Sequence, residues 1–489
     1  MDVDQFIADA EAFHQAVSTE HFRSGAGLQA GLKIGPIYER YLPLFEGERF
    51  HEAALWDLEP TQVLYLQDFI AGGYLQNQTA DLVERYAAEE AAATVEWDER
   101  PVSYRTVPVL IANEADAVRR HALEERYLTA LATFNPILEE REKRLQRHAR
   151  GFGLGDYVDL YDALRGFHLS ELTESMVRFI AATDEAYFAA LDTYLGEMHI
   201  LRDDARKCDL ARIFRGTAYD LWFPQARLLP TLHATLRDLG IPLEDQTNIH
   251  LDTAERPLKS PRAFCSAIRV PDDVRLVVKP TGGVPDYEAL LHEAGHAEHF
   301  GNVDRTLPFA YRRLGDSSVT EAYAFLMEHL TNDPRWLDRY LGFGRPESFL
   351  QLEGFHRLYF LRRYGTKLTY EQLLHRADEP GDVAPVYDEL FTRNLGVGYG
   401  SESYLADVDP GFYAAAYVRA WIFEAQMRRY LQREFDDEWF RNLKAGKFLI
   451  ELWREGQKYP VDTLVRWMGY DGLDPTWIME DIRQLMGVP

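Results

Sequence analysis

The sequence predicts a mainly α-helical protein, and three observations carry that reading. Amphipathic periodicity near 3.6 residues fills most of the chain, β-rich segments are confined to two places, and 46% hydrophobic composition over 489 residues supplies apolar surface for a large core. Helices are expected at about 3–20, 59–94, 114–150, 169–200, 225–239, 285–300, 317–331, 347–361 and 411–434. The β-rich runs are TVEWDERPVSYRTVPVLI near 94–111 and AFCSAIRVPDDVRLVVKP over 263–280, the second reading as a hairpin turning at Pro271, Asp272 and Asp273. A lobe boundary is placed near residue 200. It separates an amino-terminal helical lobe, 1–200, from a lobe, 201–489, that holds the candidate chemistry, the two fused as one unit.

Composition excludes several function classes. The formal net charge is −26 and the basic residues are scattered, so the chain would repel a phosphate backbone and no nucleic-acid partner is expected. No run approaches eighteen uninterrupted apolar residues, and the start, MDVDQFIADAEAF, is acidic with no export signal, so neither a membrane span nor secretion is expected. Cys208 and Cys265 are the only two cysteines, read as free thiols of a cytoplasmic protein. The loop Asn394–Ser403 carries three glycines within five residues and reads equally as a lid over a cleft or as a plain connection; Tyr399 within it is a candidate substrate contact.

The chemistry concentrates in HEAGH, His292 to His296, inside a helical stretch. Histidines four apart on a helix stand one above the other, roughly 6 Å between side-chain roots, so both imidazoles reach one metal ion. Glu293 sits beside such an ion but outside its ligand plane, where it can take a proton from an attacking water. At 100° per residue, His296 and His299 fall within about 40° of His292, while Tyr287, Leu290, Ala294 and Ala297 take the opposite side. The expectation is a histidine face turned toward a cleft and away from the packed face.

A catalytic zinc takes three protein ligands and keeps a position for water, so a third donor is needed. The long pattern with a histidine six residues after the second is excluded, because position 302 is Asn. His299 lies about 10 Å along the helix axis from His292 and suits the cleft lining or a supporting hydrogen bond instead. The remaining option is Glu321 in DSSVTEAYAFLMEHL, 25 residues after His296, enough chain for a loop and an antiparallel return helix. Glu328, seven later on the same face, would accept a ring N–H from a ligand histidine; the alternative is that both are solvated charges.

These residues resemble the thimet oligopeptidase and oligoendopeptidase family of zinc peptidases. The family's HEFGHAxH is matched by HEAGHAEH, and its ligand glutamate and the second glutamate seven later map onto Glu321 and Glu328. Its upstream Asp, Arg, Lys and small-residue strand look like Asp252, Arg256, Lys259 and Ala263, and its aromatic run HFYxxFYVY resembles GFYAAAYVRAW, with Tyr413 and Tyr417 matching two tyrosines. Gly411 stands near the place of a family histidine, and Arg419 or Ala420 in that of a further tyrosine. The recognisable part covers about 245–431.

The resemblance implies a large all-helical two-lobed peptidase fold with a deep central cleft and a small β-hairpin or sheet beside the active site. It further implies one zinc per chain on His292, His296 and Glu321, Glu293 as general base, an oxyanion held by Tyr413 or Tyr417, and short peptides as substrates near Ala263, Tyr399 and Arg419. Two tyrosines four apart on a helix are otherwise read as core. The rival readings are a metallocarboxypeptidase of related build, with Arg312, Arg313 or Arg419 receiving the terminal carboxylate, and an inactive helical scaffold. An aminopeptidase is disfavoured by the absence of a GxMEN segment.

Overall fold

The computed structural model describes residues 2–488. It is mainly α, as the periodicity predicts, with β-structure limited to one two-stranded and one three-stranded sheet among the described residues. Three of the long expected helices are each broken once, giving Pro60–Gln78 and Ala80–Ala92, Ala117–Ala132 and Asn135–Ala149, and Leu169–Ala182 and Asp184–Glu197. Each break lies at a threonine whose hydroxyl donates back to a carbonyl of the preceding turn: Thr79 to Leu75 at 3.1 Å, Thr133 to Ala130 at 2.6 Å and Thr183 to Phe179 at 2.9 Å. That competing bond lets the backbone leave the helix without exposing a buried carbonyl.

The first β-rich run is strand only as far as Ser103: β1 (Thr94–Trp97) pairs antiparallel with β2 (Arg100–Ser103). Val107–Asn113, expected as strand, is helix, because Pro108 enters its first turn, where a missing N–H costs nothing. The second run gives β4 (Phe264–Arg269) and β5 (Asp273–Val277), antiparallel as the hairpin reading requires. A strand that periodicity did not reveal, β3 (Ile249–Asp252), joins β5 in parallel, so the order is β3-β5-β4 and β4 is an edge.

The chain forms two compact units. The first gathers Met1–Ile70, Thr217–Leu350 and Arg419–Asp481, the second Ala71–Gly216, Gln351–Val418 and Ile482–Pro489. The polypeptide thus passes between units more than once, an arrangement that one division near residue 200 does not describe. Several passages fall inside helices, among them Pro60–Gln78, Glu347–Arg376 and Tyr413–Glu434, so no linker composition marks them. No helix of the described residues is long and apolar enough to cross a membrane.

Within the first unit the three-stranded sheet carries a helix on each face. Phe264 and Ser266 turn to the amino-terminal helix Val3–Gly25, where the Ser266 hydroxyl donates to the Ser18 carbonyl at 2.9 Å. The helix Val284–Asn302, called here the histidine helix, packs on β4 and β5 and against Ser317–Glu328, the glutamate helix. The histidine helix starts where Gly282 and Gly283 adopt φ of 87° and 90°, and the Asp286 carboxylate accepts from the Thr281 and Gly282 N–H groups at 2.7 and 2.8 Å. The glutamate helix is capped by Asp316, whose carboxylate accepts from the Ser318 N–H at 2.9 Å.

The two helices approach so closely that a side chain at Gly295 has no room: a Cβ there would stand 2.6 Å from the Ala324 Cα and 2.7 Å from the Tyr323 carbonyl oxygen. Both neighbours are backbone, so only a shift of a whole helix relieves the overlap. Gly295→Ala gains about 1 kcal/mol of helix propensity but incurs overpacking of about 1–3 kcal/mol, so a net loss of stability is expected in urea unfolding. A variant as stable as the native chain would show that the helices are not in obligatory contact.

Candidate metal centre

His292 and His296 lie one turn apart on the histidine helix, their rings 4.9 Å between centroids and 82° between planes. Each ring is oriented by its Nδ1. That of His292 stands 2.7 Å from Glu328 Oε2 and that of His296 2.8 Å from Thr320 Oγ1. With Nδ1 of each ring bonded to these oxygens, both Nε2 atoms turn to one side of the helix, where in the neutral ring each is a bare acceptor. Glu321 Oε2 faces them at 3.5 Å from His292 Nε2 and 3.7 Å from His296 Nε2.

The donor set fits a tetrahedral cation. Ligand atoms about 2.0–2.1 Å from a zinc ion sit roughly 3.3 Å apart at tetrahedral angles, close to these separations. All three donor atoms lie within 4.8 Å of one another. The electrostatics ask for the same thing. Burial works against charge on His292, but the hydrogen bonds to Glu321 and Glu328 outweigh it and lift its pKa to about 10. Burial holds His296 down to about 4, against the pull of Glu321. Without a metal, a proton shared with two carboxylates fills the cationic role at His292.

Glu293 is half-buried, and the desolvation of its carboxyl raises its pKa to about 7 even though His292 and the Cys265 N–H favour its charged form. The Cys265 N–H donates to Glu293 Oε2 at 2.7 Å. Cys265 is opposite Leu276 in the ladder yet directs this N–H away from β5, as alternate residues of an antiparallel strand do, so Glu293 is fastened at the open edge of β4. Ala263, buried, lies one residue before that strand.

The other candidate residues have surroundings of their own. His299 does not line an opening: it is fully buried, stacked on Phe300, edge-on to Tyr323, with Nε2 3.3 Å from the Gly456 carbonyl. Glu298 is fully buried too, bonded to Gln246. The histidine helix is therefore enclosed on the side expected to be open beyond His296, because β-strands and helices pack around it and not only against Tyr287, Leu290, Ala294 and Ala297. Arg419 is buried against Asp316 and Asp462, tying down the cap of the glutamate helix. Tyr399 is buried in the second unit with its hydroxyl 2.8 Å from that of Tyr359, and Gly398 in the same loop exchanges backbone bonds with Ala205 and Lys207 at 2.9 Å each. The glycine-rich loop is a fastened connection and not a lid. Tyr413 and Tyr417, half-buried and 5.0 Å apart, also belong to the second unit, where Tyr417 meets Tyr364.

Thr320 escaped the sequence reading because a threonine in the first turn of a helix looks like part of a cap. The signal was its place next to Glu321. A second grouping, His121, Cys208 and Asp209, also gathers donors, but the Arg120 guanidinium holds Asp209 at 2.6 and 2.9 Å, and burial with the nearby Glu124 pushes the Cys208 thiol up. That grouping does not fit a metal.

Comparison with known proteins bears on the fold. The chain shares its fold with a solved peptidase-named structure. That structure is named as a "putative Oligoendopeptidase F"; the match covers 99% of this chain and 84% of the other, with a TM-score of 0.62 and 14% identity. No family model and no curated protein matches the sequence.

Glu328→Ala removes the oxygen that orients His292, and a 10–100-fold loss of zinc affinity is expected in competition with a chromophoric chelator. Unchanged affinity would mean that Glu328 is a bystander.

Proposed function

We propose that the protein is a zinc-dependent peptidase acting on short peptides, with zinc held by His292, His296 and Glu321. The observation that carries this reading is the pair of Nε2 atoms facing Glu321 Oε2 at 3.5 and 3.7 Å with Glu293 at the edge of a strand beside them. A bound zinc ion supplies Lewis acidity toward the scissile carbonyl and toward the attacking water. The shared fold with a protein named as an oligoendopeptidase supports the same class.

Glu293 is the base. Its carboxylate, with a pKa near 7, takes the proton of the attacking water and hands it to the leaving amine, a group poised close to neutrality serving both transfers. The open edge of β4 offers backbone groups to an extended peptide, which would align its scissile bond beside Glu293 as an added strand. Glu328 and Thr320 hold the imidazoles in the tautomer that keeps Nε2 bare. Tyr413 and Tyr417 take no part in this proposal.

The carboxypeptidase reading loses two of its three arginines. Arg419 is engaged by Asp316 and Asp462, and Arg312 by the Leu307 and Val270 carbonyls and by Glu11. The inactive-scaffold reading has no missing donor to rest on.

Glu293→Gln keeps the shape and the metal donors but cannot take a proton. A drop in kcat of about 10²–10⁴-fold with one zinc per chain retained is expected from peptide cleavage assays and elemental analysis. Undiminished hydrolysis would overturn the mechanism.

A further inference from the structure

We propose that the recess at the end of β4, which Arg313 and His14 line, is a subsite that takes a carboxylate carried by the peptide; the inference rests on the peptidase reading above. The recess lies wholly in the first unit, as does the metal centre. Its walls come from Glu11 and His14 of the amino-terminal helix, from Ala267 and Ile268 of β4, and from Arg312 and Arg313 of the short helix Phe309–Arg313. Arg312 closes one side: its guanidinium donates to the Val270 carbonyl at 2.7 Å and the Leu307 carbonyl at 2.9 Å, and pairs with Glu11 at 2.9 Å. The volume is about 20 Å³, where one water needs at least about 10–15 Å³. The two oxygens of a carboxylate fit such a space and a ring does not.

The place of the recess along β4 suits a peptide added to that strand. Ala267 repeats the orientation of Cys265 two residues earlier, so its N–H is the next on the open edge, about 7 Å beyond the one that Glu293 holds. The ladder loses register between Ala267 and Arg269, so a peptide laid along β4 from Glu293 meets the recess where regular pairing stops. The Arg313 guanidinium carbon lies 5.2 Å from the Phe300 ring centroid, and that ring stacks on His296 at 6.4 Å. At most about 12 Å therefore separate the guanidinium from the His296 ring, the span of three to four extended residues.

The lining has the donors that a carboxylate asks for. Arg313 supplies a planar fork matched to two oxygens. The His14 Nε2 is buried and has no hydrogen-bond partner among the described residues. Burial and the Arg313 charge hold that imidazole down to about 3, so it is neutral near pH 7 and, in its Nε2–H tautomer, a second donor. The other charged groups are matched in pairs, Glu11 with Arg312 at 2.9 Å and Arg269 with Asp272 at 3.5 Å. Selection thus comes from the Arg313 fork and the His14 N–H and not from a surplus of charge.

The carboxylate can be an acidic side chain or a free C-terminus, and the test separates them. In the full zinc-loaded chain carrying Glu293→Gln to stop cleavage, calorimetry measures binding of heptapeptides with Glu or Gln at each interior position in turn, and of one parent peptide as its acid and its C-terminal amide. About tenfold tighter binding of the charged member is expected for one pair, an interior pair identifying a side chain and the acid and amide pair a C-terminus. Arg313→Met should cut that ratio to below about twofold, and Arg313→Lys, which keeps the charge without the planar fork, to about threefold, each variant checked for folding by circular dichroism. If Arg313→Met does not fold, Arg313→Lys decides. Charged and neutral members that bind equally, a tenfold ratio unchanged in the folded variants, or no binding at all overturns the inference. Peptides cleaved by the native chain with no such preference would leave the peptidase reading standing without the subsite. A preference that the Arg313 variants remove, in a chain that cleaves none of these peptides once Glu293 is restored, overturns the peptidase reading alone.

Discussion

The close approach of two helix backbones at Gly295 is the constraint on which the rest of the centre depends. Because no side chain separates the helices there, residues of the glutamate helix reach the imidazoles on either side of the contact. Thr320 meets His296, Glu328 meets His292, and Glu321 stands between them. These five side chains span more than two turns of one helix and one turn of the other. Spacing of this kind is tolerant of side-chain motion but not of a shift of the helix axis by one methyl group, since a donor displaced by an ångström no longer shares an ion with the others.

Packing alone would not hold such a centre, since it gathers two carboxylates and two bases in a largely buried place. The hydrogen bonds spread the cost. Glu328 and Glu321 share the charge that burial would deny His292, while His296, bonded to the Thr320 hydroxyl and held down by burial against the pull of Glu321, stays neutral. Glu293 is kept apart from this exchange by the backbone of β4. In the proposed function one side chain is then set for proton transfer beside three set for a cation, and different neighbours account for the difference.

Much of this was legible in the sequence, and the reason is local. The turn-spaced histidines, the glutamate between them, and the glutamates seven apart are periodic features, and helical periodicity survives folding; so does the mainly α architecture. What was not legible depends on contacts from distant parts of the chain. His299 shares its helix face with His292, yet Gly456 and Tyr323 enclose it. Arg419 and Tyr399 read as candidate substrate contacts until Asp462 and Tyr359 are found beside them. Thr79, Thr133 and Thr183 break helices by hydrogen bonds too weak to register in an amphipathic pattern, and β3 is four residues long, with its partner β5 more than twenty residues on.

The central claim is that Glu321 completes a three-donor site with His292 and His296. Equilibrium titration of the metal-free chain with zinc, beside that of Glu321→Ala, tests it most directly. The account expects one tight site per chain in the native protein and its loss in the variant, with the helical content of both unchanged by circular dichroism. A folded Glu321→Ala chain that binds zinc as tightly as the native protein would contradict it.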